Sequence, residues 1–155
     1  MMRSLFSKAV LVTLMAPGLL AQGPDLRWFN VPVTSGETAY TCMTRPDALQ
    51  LAVITCNDTF DLLPATAQTF LLAHEHGHVL QIVRGGVQFA PNPEADADCY
   101  AAKTLAIADP GALAGAIWWL ENVLGPRGGD AIHGTGTQVG ALARQCAAQM
   151  GVSVP

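Results

Sequence analysis

Charge is the scarcest property of this chain. Only 13% of its 155 residues are Asp, Glu, Lys or Arg, against 50% hydrophobic, so little surface is given to solvation. Basic residues are the fewest: eight Lys and Arg face twelve Asp and Glu, for a formal net charge of −4 at pH 7. Proteins that hold nucleic acid neutralise its phosphates with clustered Lys and Arg. This chain has no such footprint, which excludes a nucleic-acid partner. Internal repeats and low-complexity tracts are also missing, and the length fits one domain with a sizeable core. Nor is there a hydrophobic run long enough to cross a bilayer as a helix; the stretch from Ala9 to Leu20 is only about a dozen residues.

That stretch has its own meaning. It follows the basic Arg3 and Lys8 and precedes Ala21, a small residue suited to cleavage before Gln22. The pattern is that of a secretory signal peptide over residues 1–21, leaving 22–155 as a single domain. An uncleaved anchor is the alternative, because Leu19 is a poor residue two positions before Ala21. No Cys follows the run, which argues against a lipid anchor. Cleavage would remove two positive charges and leave Lys103 as the only lysine. The protein is expected to be exported, to the periplasm or outside the cell, without stable membrane insertion once the signal is cleaved.

Past residue 22 the sequence predicts an α+β domain, mostly helical, with a small N-terminal β-sheet or hairpin. Residues 22–36 hold Gly23, Pro24, Pro32 and Gly36 and read as irregular. Thr38 to Met43 and Leu49 to Cys56 read as two short strands joined around Arg45-Pro46-Asp47. A helix over 64–83 starts at Pro64, carries Phe70, Leu71, His74, His78 and Ile82 at helical spacing, and stops at Gly85-Gly86. Val87 to Ala90 reads as a brief extended piece. Asn92-Pro93 caps a second helix, 93–108, and Asp109-Pro110 caps a third, 111–124, that ends at Gly125-Pro126. A Gly-rich loop leads to Thr137 and a last helix to Met150. The adjacent Trp118 and Trp119 cannot share one helix face, so one is expected in the core and the other at a cleft or interface.

The first helix contains His74-Glu75-His76-Gly77-His78. Two imidazoles four residues apart on a helix lie on one face and can hold one metal. Glu75 sits about 100° round from His74, near enough to serve a water at that metal. His76 faces the opposite side and is expected to be structural or exposed. Gly77 lacks a Cβ and would let another element pack against the helix.

A hydrolytic metal site takes three protein ligands and leaves a fourth position open. Sixteen residues past His78, the first turn of the second helix supplies Glu94 as third ligand. Asp98, one turn later on the same face, is the acceptor expected to orient His74. Asp96 points away from that face and suits the solvated N-terminal end of the helix, favoured by its dipole. His133 lies in a polar loop, Asp130 to Thr137, and is a candidate donor to a developing oxyanion. Arg127 and Arg144 are alternatives for that role.

The order His-Glu-x-x-His, then Glu-x-x-x-Asp on a following helix, resembles the gluzincins, a class of zinc-dependent peptidases. More closely, His74 to Gln81 followed by Glu94 to Ala101 resembles the bacterial neutral zinc metallopeptidase family. The likeness covers roughly residues 60–105, with a weaker echo near His133, where Gly134 replaces the family's proline. It implies a zincin-like fold and Zn2+ held by His74, His78 and Glu94. It also implies Glu75 as general base and hydrolysis of a peptide or protein substrate. The chain departs from the pattern in its short loop between His78 and Glu94 and its lack of a second lobe. A secreted zinc-binding domain without hydrolytic activity, acting as a binding or accessory protein, is the rival reading. No oligomeric state is assigned.

Four cysteines after a signal peptide suggest two disulfides in an oxidising compartment. Three pairings are possible. The favoured one joins Cys42 to Cys56, stapling the predicted hairpin, and Cys99 to Cys146, tying the second metal-site helix to the last helix. Cys99 as a zinc ligand is the alternative, disfavoured because it points about 100° away from Asp98 on a helix.

Overall fold

A computed structural model describes residues 26–155 except 128, 130 and 131. The predicted signal peptide, residues 1–21, lies outside the described residues, as do Asp130 and Ala131 of the His133 loop. The described residues form three strands and four α-helices: β1 (Val33–Ser35), β2 (Cys42–Asp47), β3 (Leu51–Cys56), α1 (Ala65–Arg84), α2 (Pro93–Ala108), α3 (Pro110–Trp119) and α4 (Gly136–Ala148). It is an α+β protein with its small sheet at the N-terminal side.

The helices start and stop where their capping chemistry dictates. Gly85 closes α1 in the left-handed conformation at φ 72°, where a side chain would be strained. The amides of Gly85 and Gly86 both return to the Gln81 carbonyl. Asn92 Oδ1 accepts from the Ala95 amide at 2.8 Å, and Pro93 takes the first position of α2. Asp109 caps α3 through the Ala112 amide, and Thr135 and Gln138 form a reciprocal capping box at α4. The third helix differs from expectation at its end. Residues Leu120–Leu124 widen into a π-helical turn that Gly125 closes, its amide bonded to the Leu120 carbonyl.

Small residues let the helices approach closely. A Cβ on Gly77 would lie 2.7 Å from Ala97 Cα, so α1 and α2 cross with backbone nearly touching backbone. Ala73, Ala101, Ala102, Ala116 and Ala143 are fully buried beside Leu105, Leu113 and Ile117. Cys99–Cys146 fastens α2 to α4, and Cys42–Cys56 joins the paired positions of β2 and β3. Both pairings are those favoured from the sequence. Among the described residues no helix is long and apolar enough to cross a membrane. The two disulfides agree with an exported protein.

The structure corrects three expectations. Its order is β1-β3-β2, with β1 parallel and β2 antiparallel to β3. Residues 22–36 are therefore not wholly irregular. The strand β1 has only three residues, all exposed, so it offers no alternating pattern to read. The hairpin turn falls at residues 48–50, not around Pro46. Asp47 Oδ1 accepts from the amides of Leu49 and Gln50, and Leu51 follows at φ 68°. Pro46 lies inside β2, which tolerates it because β2 is an edge strand with no ladder on its outer side. Finally, Val87 to Ala90 forms no strand. The amides of Gln88, Phe89 and Ala90 all point at the Asp96 carboxylate instead.

Candidate metal centre

His74 and His78 meet across one turn of α1, their Nε2 atoms 3.0 Å apart. The other nitrogen of each ring is committed. His74 Nδ1 lies 2.8 Å from Asp98 Oδ1, and His78 Nδ1 lies 3.0 Å from Gln81 Oε1. The orientation of the Gln81 amide is fixed, because its Nε2 donates to the Pro93 carbonyl at 2.7 Å and to Asp96 Oδ2 at 3.1 Å. Both acceptors are oxygens, so in the neutral rings both Nδ1 carry the proton and both Nε2 present lone pairs to each other.

Glu94 Oε2 completes the cluster, 3.2 Å from His74 Nε2 and 3.3 Å from His78 Nε2. It is buried and in hydrogen-bond geometry with no described residue. Three lone-pair atoms, all within 4.8 Å of one another, thus converge on one point. Left alone they would repel; a cation between them satisfies all three. Two imidazoles and a carboxylate, with each imidazole held from behind by an oxygen acceptor, form a donor set that could hold a divalent transition metal. Without a cation the cluster draws in protons. Burial lowers the His74 pKa, but the Asp98 and Glu94 carboxylates outweigh it and raise it to about 10. Burial raises the Glu94 pKa, yet the two histidines hold its carboxyl well below the usual range.

Glu75 stands beside this cluster and is 3% exposed. Thr44 of β2 holds its carboxylate, with Oγ1 donating to Oε2 at 2.7 Å. The same hydroxyl lies 3.1 Å from the Glu75 carbonyl, so its one proton favours the nearer, charged acceptor. The loop before α4 brings in His133. Its Nε2 is 3.1 Å from Glu94 Oε2, and its ring meets Tyr40 edge-on at 4.9 Å. The structure therefore gathers His74, Glu75, His78, Glu94, Asp98 and His133 in one place.

Other sequence expectations divide. His76 is buried, as a structural residue. It accepts from the Phe29 amide at 3.3 Å and packs edge-on against Trp28, and burial pushes its pKa down to about 4. Cys99 is oxidised and is not a ligand. Trp119 packs on the core and lines the site, whereas Trp118 is 61% exposed. Arg144 is engaged elsewhere, paired with Glu121 at 2.6 Å and bonded to the Val154 carbonyl, and neither it nor Arg127 lines the cavities at the site. Asp96 is a correction. It is 1% exposed, not solvated, because its carboxylate ties the 88–90 amides to Gln81. Thr44 and Gln81 were not legible as site residues. Thr44 lay in a stretch read as entering a turn, while Gln81, three residues past His78 on a helix, carried a spacing signal that could have found it.

Two cavities flank the cluster and share Tyr40, Cys42, His74, Glu75 and His133. One, about 440 Å³, runs between α1, the π-helical turn and α4. The other, about 460 Å³, lies along β2 and the N-terminus of α2. The edge that faces the site belongs to β2, because β3 is central with a neighbour on each side. In comparisons with known proteins, the chain matches no family model, no curated protein and no solved structure.

Proposed function

We propose that this protein is an exported zinc-dependent peptidase of gluzincin type. The observation that carries this reading is the division of labour on one turn of α1. His74 and His78 turn lone pairs toward Glu94, while Glu75 between them is left out of that cluster and held by Thr44. Two His and one Glu make zinc the default ion and leave a coordination position for substrate chemistry. When bound, the ion would supply Lewis acidity toward the scissile carbonyl and toward water.

The chain's own residues do the rest. Glu75 takes a proton from the water that adds to the carbonyl carbon. As the carbon–nitrogen bond breaks, Glu75 delivers that proton to the departing amine. Thr44 keeps the carboxylate aimed through this exchange. His133 donates a hydrogen bond to the carbonyl oxygen as negative charge develops there. Asp98 and Gln81 hold the two imidazoles in the tautomer that ligation needs. A substrate peptide would lie extended beside β2, the edge strand next to Glu75.

A binding domain with a structural metal would have four protein ligands and no use for a buried carboxylate aimed by a threonine. The test is cleavage of a diverse peptide mixture by the mature protein, beside Glu75→Gln and a chelator-treated sample. Cuts made only by untreated wild type support the reading. A folded, zinc-loaded wild type that cuts nothing favours the binding domain.

A further inference from the structure

The segment Arg27–Phe29 is bonded to the face of α1 turned away from the metal cluster. His76 lies two residues from each ligand histidine, so its ring leaves the helix about 160–200° round from theirs. The Phe29 amide donates to His76 Nδ1 at 3.3 Å, and Trp28 meets the same ring edge-on, centroids 4.5 Å apart. Tyr100, fully buried on α2, donates its hydroxyl to the Arg27 carbonyl. One short stretch of chain thus holds both ligand helices: α1, which carries His74 and His78, and α2, which carries Glu94 and Asp98.

The placing of these anchors gives them leverage. The two helices cross with Gly77 against Ala97. His76 is the residue before Gly77, and Tyr100 stands three after Ala97, on the same side of α2. Hydrogen bonds are directional, so they fix how far one helix slides or rolls on the other, which apolar contact alone leaves soft. The segment then runs on into the sheet. Val31, like Leu71 and Leu72 of α1, packs on the cluster of Cys42, Ile54 and Cys56, and the Pro32 carbonyl accepts from the Ile54 amide at 3.0 Å. Ile54 lies on β3, which pairs with β2, whose Thr44 holds Glu75.

Resting on the metal site of the peptidase reading, we infer that Arg27–Phe29 is a clamp that sets the spacing of the two ligand helices, with His76 and Tyr100 as its positioning residues. Neither is a ligand. His76 acts on His74 and His78 through α1, and Tyr100 acts on Glu94 and Asp98 through α2. With the clamp released, the core and the two disulfides keep the chain folded, but the carboxylate and the imidazoles converge less closely, so the loss falls on the metal.

The experiment is zinc binding to the mature protein, by competition with a chelator, beside denaturant unfolding of each metal-free form. Affinity is read where every form is folded, so lost stability alone does not move it. Tyr100→Phe removes the hydroxyl and His76→Phe the acceptor; each should weaken zinc binding about fivefold, the contribution of one neutral hydrogen bond. Trp28→Ala, at a 45% exposed position, should weaken it by a similar factor. His76→Gln, which keeps an acceptor, should recover part of the His76→Phe loss. Leu113→Ala, in the core on α3, should lower stability and leave zinc affinity where it was. Unmoved affinity in Tyr100→Phe and His76→Phe, or an equal loss in Leu113→Ala, overturns the inference. A wild type that binds no zinc overturns the metal reading and the clamp together. A wild type that binds zinc and cuts nothing, with the losses confined to the clamp variants, keeps the clamp and rejects the peptidase.

Discussion

Thr44 and Glu75, 31 residues apart, are joined side chain to side chain, Oγ1 donating to Oε2 at 2.7 Å. This bond makes the edge strand β2 part of the site, because it aims the carboxylate that the proposed chemistry uses. A hydrogen bond to a charged group contributes about 1.5–3 kcal/mol, which corresponds to roughly 10–100-fold in rate. Thr44→Val should lower kcat by that factor with zinc affinity unchanged, and Thr44→Ser should restore most of it. Steady-state kinetics beside a zinc titration checks this; equal losses in Val and Ser variants would show that packing, not the hydroxyl, matters.

The two imidazoles are held by different partners, His74 by Asp98 and His78 by Gln81. Removing such an acceptor typically costs 10–100-fold in metal affinity. Asp98→Ala and Gln81→Leu should each weaken zinc binding by about that factor in competition with a chelator. Gln81→Leu should also loosen the start of α2, since Gln81 bonds the Pro93 carbonyl and Asp96. Faster amide exchange at residues 88–90 in that variant would report it.

Gly77 is where the ligand helix and the Glu94 helix touch. An added methyl would sit 2.7 Å from Ala97 Cα, a backbone atom that cannot swing aside. Gly77→Ala should cost about 1–3 kcal/mol of stability in denaturant unfolding and push Glu94 off its ligand position. A variant as stable as wild type and as tight for zinc would contradict the close crossing.

Lys103 is buried, its ammonium 2.5 Å from Gln149 Oε1 and near the Phe89 ring. Burial lowers its pKa. The unfolded chain therefore binds more protons than the folded one between the lowered value and the ordinary 10.5, and folding stability from this group rises with pH across that window. Lys103→Met should be more stable than wild type at neutral pH, and the gap should close as pH approaches 10.5. Unfolding curves of the two proteins at several pH values check the sign.

His74, Glu75 and His78 were legible because their meaning depends on one helix and its period. Glu94 and Asp98 were legible because Asn92-Pro93 fixes where α2 begins, and so which face each residue takes. The disulfides followed from the same element map. What stayed hidden depends on contacts distant in sequence. Nothing local in Thr44 announces a partner at position 75, and Pro46 reads as a break until the strand is known to lie at an edge. Asp96 at a helix start looks solvated until the loop at 88–90 is seen folding over it. The π-helical turn packs against Gly136, where a Cβ would run into the Leu120 carbonyl oxygen, a contact that no local pattern announces.

On the peptidase reading, one metal ion and one carboxylate, separately supplied, carry the hydrolysis. Titrating zinc into metal-free protein while recording bound zinc and peptide cleavage together tests both at once. Cleavage by the wild type should rise in step with bound zinc and level off at about one equivalent. Glu75→Gln should bind zinc to the same level and cut nothing. Cleavage that is indifferent to zinc, or a Glu75→Gln protein that cuts like wild type, would rule out a zinc-dependent peptidase with Glu75 as its base.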